Sequence, residues 1–383
     1  MSDKKLQGMT RRRRWRRVGR WVAAGLLAFL AVLVALPIGR YLLRAGSAET
    51  GILARRRPIA KLVADSSVPV ITRGKLQLVL DARDFAQRGL GLEVRQSFTT
   101  YSPLSRDTLV LVLSAARRDR LEPYTWWFPI VGRVPYKGFF DFDEARRERA
   151  ALEARGFDTY LRPASAFSTL GWFNDPLLST TLRDDTLGLA NTVLHELTHN
   201  TLFVPSEVNF NESLANFVGA RGAAAFFRAR GQPKAARAVE REWEDEKQLS
   251  SFWTAAARAV DSALAAWPND SSARVAARDS VYRTLRRVLL DELAPVMPTI
   301  SREQLRRIRL DNASLLAHKV YAADLWLFDE VLRRTGGDVR RAFFQISRVV
   351  KSDGDPFDAV RTWVVNTPVS PEAAQTNELS RHR

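Results

Sequence analysis

His195 and His199 are two of only four histidines in this 383-residue chain, and Glu196 directly follows the first of them, inside the run "LANTVLHELTHNTLFVPSEVNFNESLANF" (residues 189–217). On an α-helix, residues i and i+4 share a face about one turn apart, so both imidazoles can reach one Zn²⁺ at ~2.0–2.1 Å. Glu196 lies ~100° round the helix from His195, beside such a metal rather than on it. That is where a general base stands to take a proton from an activated water, so the H-E-x-x-H spacing points to zinc hydrolase chemistry.

A catalytic zinc site needs a third protein ligand and one open position. No third histidine is close, since His318 is far along the chain and His382 is near its end. Residues 201–210 can turn the chain so that a second helix, from about Asn211, lays its first turn beside the histidine pair. Glu212 in "NESLA" is then the leading candidate, and Glu207 in "PSEV" is its rival. Asn209-x-x-Glu212 also reads as a capping box, in which Glu212 would only satisfy a backbone N–H.

The elements that must position these residues follow from periodicity. Leu187, Ala190, Leu194 and Leu197 form an apolar stripe roughly opposite the histidines, with Asp184 and Asp185 before it as cap and dipole partners. From Thr186 onward apolar residues recur at helical spacing, with breaks at Gly231/Pro233, Pro268, Pro295/Pro298 and Gly336/Gly337. Earlier, residues 76–136 mix short β-prone runs such as "TLVLVLSA" (residues 108–115) with Pro/Gly turns. "DFDEARRERAALEARG" (residues 141–156) is a helix with acidic residues in its first turn and Gly156 past its end. Residues 158–173 look extended, and within them Ser165–Gly171 is an expected edge strand able to pair with a substrate backbone. The expected fold class is α+β, predominantly helical.

Composition sets the surroundings. The formal charge is +17 and 46% of residues are hydrophobic, enough for a sizeable core. Nine Lys/Arg precede Trp21 against a single acidic residue, and Trp21–Gly39 then runs nineteen residues without a charge. At ~1.5 Å per residue that run spans roughly the ~30 Å hydrocarbon core. It reads as one transmembrane helix, with residues 1–20 cytoplasmic and the rest across the membrane by the positive-inside rule. The small residues at 45–48 offer a cleaved signal peptide as the alternative, which the length of the run and the charges of Arg40 and Arg44 disfavour. Anionic inner-leaflet lipid accounts for the basic segment, so no nucleic-acid partner is expected. The chain has no cysteine, which excludes disulfides, thiolate zinc sites and lipidated cysteine. Residues 40–368 read as one domain and residues 369–383 as a disordered tail.

"HELTHNTLFVPSEVNFNESLANFVGARG" resembles the putative aminopeptidase family of bacterial envelope proteins, whose usual form is HELAHQ followed by FNESFA. The resemblance extends to "AFSTLGWFNDPLLST" (residues 166–180), "WWFPIVGRVPYKGFFD" (residues 126–141), "IGRYLLRAGSAETGILARRRPI" (residues 38–59) and "DNASLLAHKVYAADLWLFDEVLRRTGGD" (residues 311–338). It implies a zincin-like metallopeptidase domain of the gluzincin type, with His195, His199 and Glu212 as zinc ligands and Glu196 as base. Asn312 and Tyr321 also fall at family positions, and Tyr321 becomes a candidate oxyanion donor. The chain departs from the family in lacking a lipoprotein cysteine, in placing Trp127 and Arg133 where a cysteine pair is usual, and in Thr198 and Asn200 on the ligand helix.

The resulting expectation is a zinc peptidase in the bacterial inner membrane, single-pass, with its catalytic domain on the periplasmic side and peptides or proteins as substrates. The alternative is a non-catalytic envelope binding or scaffold module that keeps the zinc-site shape. The term aminopeptidase comes from the resemblance alone. The G-x-M-E-N motif that holds a substrate α-amine in well-known zinc aminopeptidases is absent, which leaves exo- or endopeptidase action open.

Overall fold

The computed structural model describes Trp21 and residues 37–104, 106–108, 110–128, 132–164, 176–321, 324–350 and 354–368. Residues 1–20, most of the expected anchor, the expected edge strand 165–171 and the tail 369–383 lie outside the described residues. Among the described residues no helix is long and apolar enough to cross a membrane.

Helix α1 (Pro37–Ala54) belongs with Arg55 and Phe128 to one compact unit, and residues 56–127 with those from 132 onward make a second, larger one. The second unit opens with β1 (Arg57–Pro58), α2 (Ile59–Ala64) and α3 (Val70–Phe85). The alternation of Leu76, Leu78 and Leu80 mimics a strand, yet the run is helical. Leu76, Val79 and Ala82, three residues apart, are all but fully buried in the main core. Tertiary packing here overrides a local period-2 pattern.

Strands β2 (Thr100–Ser102), β3 (Val110–Arg117), β4 (Trp126–Phe128), β5 (Gly132–Val134) and β6 (Tyr136–Phe139) precede α4 (Phe142–Ala154), and β7 (Phe157–Ala164) and β8 (Leu177–Leu178) follow it. Three small sheets result: β1-β2-β8, the antiparallel β6-β3-β7, and the ribbon β4-β5. The β3–β7 ladder runs from Val110 opposite Ala164 to Arg117 opposite Phe157, and it leaves β7 as an edge strand among the described residues. Helix α4 starts and stops where its sequence signals indicate. The Asp141 carboxylate accepts from the Asp143 and Glu144 amides, and Gly156 takes a left-handed φ of 79° beyond the last turn.

The remainder is helical: α5 (Thr186–Thr201), α6 (Val208–Ala229), α7 (Pro233–Ala265), α8 (Ser271–Arg287), α9 (Arg302–Arg307), α10 (Asn312–Tyr321), α11 (Leu325–Arg334), α12 (Val339–Val349) and α13 (Pro356–Asn366). The observed class is α+β with helix in the majority. Helix α6 is the axis of the main core. Phe210, Phe217, Phe226 and Phe227 on it are at most 2% exposed, and each such ring contributes roughly 1.5–3 kcal/mol by burial. A second cluster fills the space between the C-terminal half of α7, α8 and α10.

Two polar networks lock these layers. Asp329 on α11 accepts from Arg221 of α6 at 2.5 and 2.8 Å, from Trp243 at 3.1 Å and from Lys247 of α7 at 2.6 Å, joining three helices. Asp158 on β7 accepts from Arg278 at 2.5 Å and from the Asn312 amide at 3.1 Å. The buried Asn312 side chain takes the Tyr282 hydroxyl at 2.7 Å and donates to the Arg117 carbonyl at 2.8 Å. Asn312, singled out by resemblance, thus fixes the start of α10 against the sheet.

Candidate metal centre

Helix α5 carries the histidines, and its start is set locally. Asp185 caps it by accepting from the Gly188 amide at 2.8 Å. Leu189, Ala190, Val193, Leu194 and Leu197 are fully buried, so the His195–Glu196–His199 side is left toward the more open part of the fold. The C-terminal turn is tied to the loop after α3: Asn200 donates to the Ser97 hydroxyl at 3.2 Å, and the Glu93 amide donates to the Thr201 hydroxyl at 2.9 Å.

Glu212 is not in a capping box. Helix α6 begins at Val208, with Glu207 at its N-cap and no side-chain cap bond, so Asn209 already lies inside the helix. The job of holding the turn falls to Asn211. Its Oδ1 accepts from the Val204 amide at 2.9 Å and its Nδ2 donates to the Val204 carbonyl at 2.8 Å. That clamp folds residues 202–207 back so that α6 runs antiparallel to α5 and Glu212 faces the histidine pair.

His195 Nε2 stands 3.3 Å from His199 Nε2 and 3.4 Å from Glu212 Oε2, and His199 Nε2 stands 3.8 Å from Glu212 Oε1. Four ligand atoms at ~2.05 Å around one tetrahedral ion are ~3.3 Å apart, a spacing that two of the triad's separations match and that the third, His199 to Glu212 at 3.8 Å, slightly exceeds. The three side chains are 16–23% exposed, enclosed but reachable. The group can hold a metal ion, and its donors, two imidazoles and a carboxylate, fit one. Glu207 is not part of the cluster.

The electrostatics agree with that use. Burial works against a charged His195, but the Glu212 carboxylate, the charge of Glu196 and a hydrogen bond to Asn216 outweigh it and raise its pKa. Burial and the neighbouring His195 push His199 down to about 4. Two ring nitrogens at this separation cannot both carry a proton. Glu212, despite burial, is held below the usual carboxylate range by the two histidines and by the more distant charge of Arg162 on β7.

Three contributors escape a reading of the sequence alone. Asn216, one turn beyond Glu212, hydrogen-bonds the His195 side chain and orients the ring. Gly219, seven residues beyond Glu212 on the same face, sets how closely α5 and α6 approach, since a Cβ there would lie 3.1 Å from the Asn191 carbonyl oxygen and 3.2 Å from His195 Cβ. Arg162 brings positive charge from the sheet edge. The spacing E-x₃-N-x₂-G is visible in the sequence, but its meaning depends on knowing which helix lies opposite. For Tyr321, the backbone closes α10 and the side chain lies outside the described residues. Asn216→Ala should weaken metal binding about 10–100-fold while leaving the helical circular dichroism unchanged, as measured by competition with a chelating dye.

A family model described as "Putative aminopeptidase" matches residues 40–355. No curated protein and no solved structure matches the chain.

Proposed function

We propose that this chain, which belongs to the putative aminopeptidase family, is a zinc-dependent peptidase of the H-E-x-x-H type, held in the bacterial inner membrane by its N-terminal apolar run with the catalytic domain on the periplasmic side. The observation that carries the proposal is the convergence of His195, His199 and Glu212 ligand atoms within 3.3–3.8 Å of one another, with Glu196 beside the two histidines on α5.

His195, His199 and Glu212 would hold the ion, leaving one coordination position for water or substrate. Zinc bound there would supply Lewis acidity, bringing the pKa of water toward ~7 and polarising a peptide carbonyl. Glu196, half-buried beside His195, takes the proton from the attacking water and returns it to the leaving amine. Asn216 holds the His195 ring in the orientation that offers a lone pair inward. Strand β7 presents an unpaired edge among the described residues, to which an extended peptide can add as a further strand. Tyr321 remains the candidate oxyanion donor on the strength of the resemblance.

The full-length chain, purified in detergent, should contain about one zinc per polypeptide by mass spectrometry and cleave members of a random peptide library. A protein purified without metal, and unable to take it up, would sink this reading. Metal at full stoichiometry with no turnover on the library would favour the non-catalytic module instead.

A further inference from the structure

One face of α7 carries Val239, Trp243, Glu246, Ser250 and Trp253, residues spaced alternately four and three apart and therefore in line along the helix. Val239, Trp243, Ser250 and Trp253 are at most 2% exposed, and Glu246, only partly accessible, is the single carboxylate in that buried stripe. Its sequence neighbours are fully engaged. Asp245 accepts from the Thr299 amide at 2.8 Å and its hydroxyl at 2.5 Å, while Lys247 pairs with Asp329 at 2.6 Å and Glu244 at 2.9 Å. Glu246 makes no hydrogen bond or ion pair among the described residues. Burial alone acts on it, raising its pKa with no compensating charge. A half-buried carboxylate that no cation or donor among the described residues answers, on an otherwise buried stripe, is a candidate for receiving a ligand.

The position along the helix gives this carboxylate a context. Helices α6 and α7 form an antiparallel hairpin in which Trp243 packs against Phe217, with ring centroids 6.2 Å apart. Three residues further along α7, Glu246 is level with about Leu214 on α6, between Glu212 and Asn216. At the other end of the stripe, Trp253 stacks on the His318 ring, with centroids 4.3 Å apart and planes within 5°. Neither nitrogen of His318 is hydrogen-bonded to another described residue, and burial holds the ring neutral, with its pKa pushed down to about 4. This face of α7 thus carries an unpaired carboxylate and, seven residues further along, a tryptophan stacked on a neutral imidazole.

Resting on the peptidase reading, we infer that Glu246 is the anionic subsite that receives a primary ammonium group of the substrate. An ammonium ion supplies the missing charge and three donors. The ammonium belongs either to the substrate's N-terminus or to a lysine side chain close to the scissile bond. The first source makes the enzyme an aminopeptidase without a G-x-M-E-N motif, and the second makes it a protease selective for basic residues.

The test uses four peptides that differ only in their first residue: lysyl, norleucyl, N-acetyl-lysyl and N-acetyl-norleucyl. With the wild-type full-length protein, kcat/KM should favour ammonium-bearing peptides, and Glu246→Gln should cut that preference about 10–100-fold, mainly through KM. Retained preference for norleucyl over N-acetyl-norleucyl identifies the α-amine as the source, and preference for N-acetyl-lysyl over N-acetyl-norleucyl identifies the side chain. Calorimetry of lysinamide binding to metal-free protein gives an independent readout, in which Glu246→Gln should weaken affinity at least about tenfold. Equal ammonium preference and equal lysinamide affinity in wild type and in a folded Glu246→Gln protein would overturn the inference. If no peptide is cleaved, the peptidase reading fails, and the calorimetry still decides the role of Glu246.

Discussion

Glu196→Gln is expected to retain the metal and lose about 10²–10⁴-fold in kcat, because glutamine keeps the shape and packing of the side chain but cannot accept a proton. Metal retention follows from the geometry. The three atoms that could hold the ion come from His195, His199 and Glu212, with Glu196 on an adjacent position of the histidine helix. Removing its charge also withdraws one of the influences that raise the His195 pKa, so the ring loses its proton to the metal at least as easily as before. Glu212→Gln should behave differently. It removes the proposed third ligand from a cluster whose members lie 3.3–3.8 Å apart, leaving two histidines facing each other, so metal affinity should fall by more than the ~100-fold typical of losing an orienting partner, and activity should go with it. Glu207→Gln, outside the cluster, serves as the control for both. Metal analysis beside steady-state kinetics separates the outcomes. A Glu196→Gln protein that keeps more than a tenth of wild-type turnover would remove Glu196 as the base, and a Glu212→Gln protein with undiminished metal affinity would remove Glu212 as a ligand.

The centre of the candidate site was legible because the chemistry proposed for it depends on helical spacing. The pair at i and i+4, the glutamate between them and the Asp185 cap are all local features, and the structure reproduces them at residue level. The position of Glu212 was harder. Asn209-x-x-Glu212 has the form of a capping box, and only the tertiary contact between Asn211 and Val204 moves the helix start back to Val208 and frees the glutamate to turn toward the histidines. Leu76, Leu78 and Leu80 alternate like a strand but fold as a helix, because the core shared with α5 rewards burying Leu76, Val79 and Ala82 together. Glu246 was invisible for a related reason. It stands in the charged run "EREWEDEKQ", and only the packing of Trp243 and Trp253 shows that its side of the helix is inward. Local periodicity locates a motif, whereas the partners that complete it arrive from elements whose juxtaposition is a tertiary fact.

Gly219→Ala is the substitution that should expose this dependence most directly, since it touches no ligand and alters only the distance between two helices. A methyl group at Gly219 would run into the Asn191 side chain, stand 3.1 Å from the Asn191 carbonyl oxygen and 3.2 Å from His195 Cβ. The side chain can rotate away, but the carbonyl belongs to the backbone of α5 and cannot, so relief requires the helices to separate. Overpacking of this kind costs about 1–3 kcal/mol, of which alanine's better helix propensity returns up to about 1 kcal/mol. A fall of a few degrees in Tm should result. The functional effect should be larger than the loss of stability, because His195 moves with α5 while Glu212 and Asn216 stay on α6. A displacement of about 1 Å in a reacting group can cost about 10²-fold in rate. Gly222→Ala supplies the comparison on the same helix. Its methyl would meet Leu90 Cδ1 at 2.9 Å and Leu194 Cδ1 at 3.2 Å, both at the ends of flexible side chains, so adjustment there is inexpensive and the stability change should be close to zero. Thermal melts and metal titrations of the two variants, run together, measure the difference. Equal metal affinity and equal Tm in Gly219→Ala and Gly222→Ala would show that the α5–α6 spacing does not set the geometry of the site.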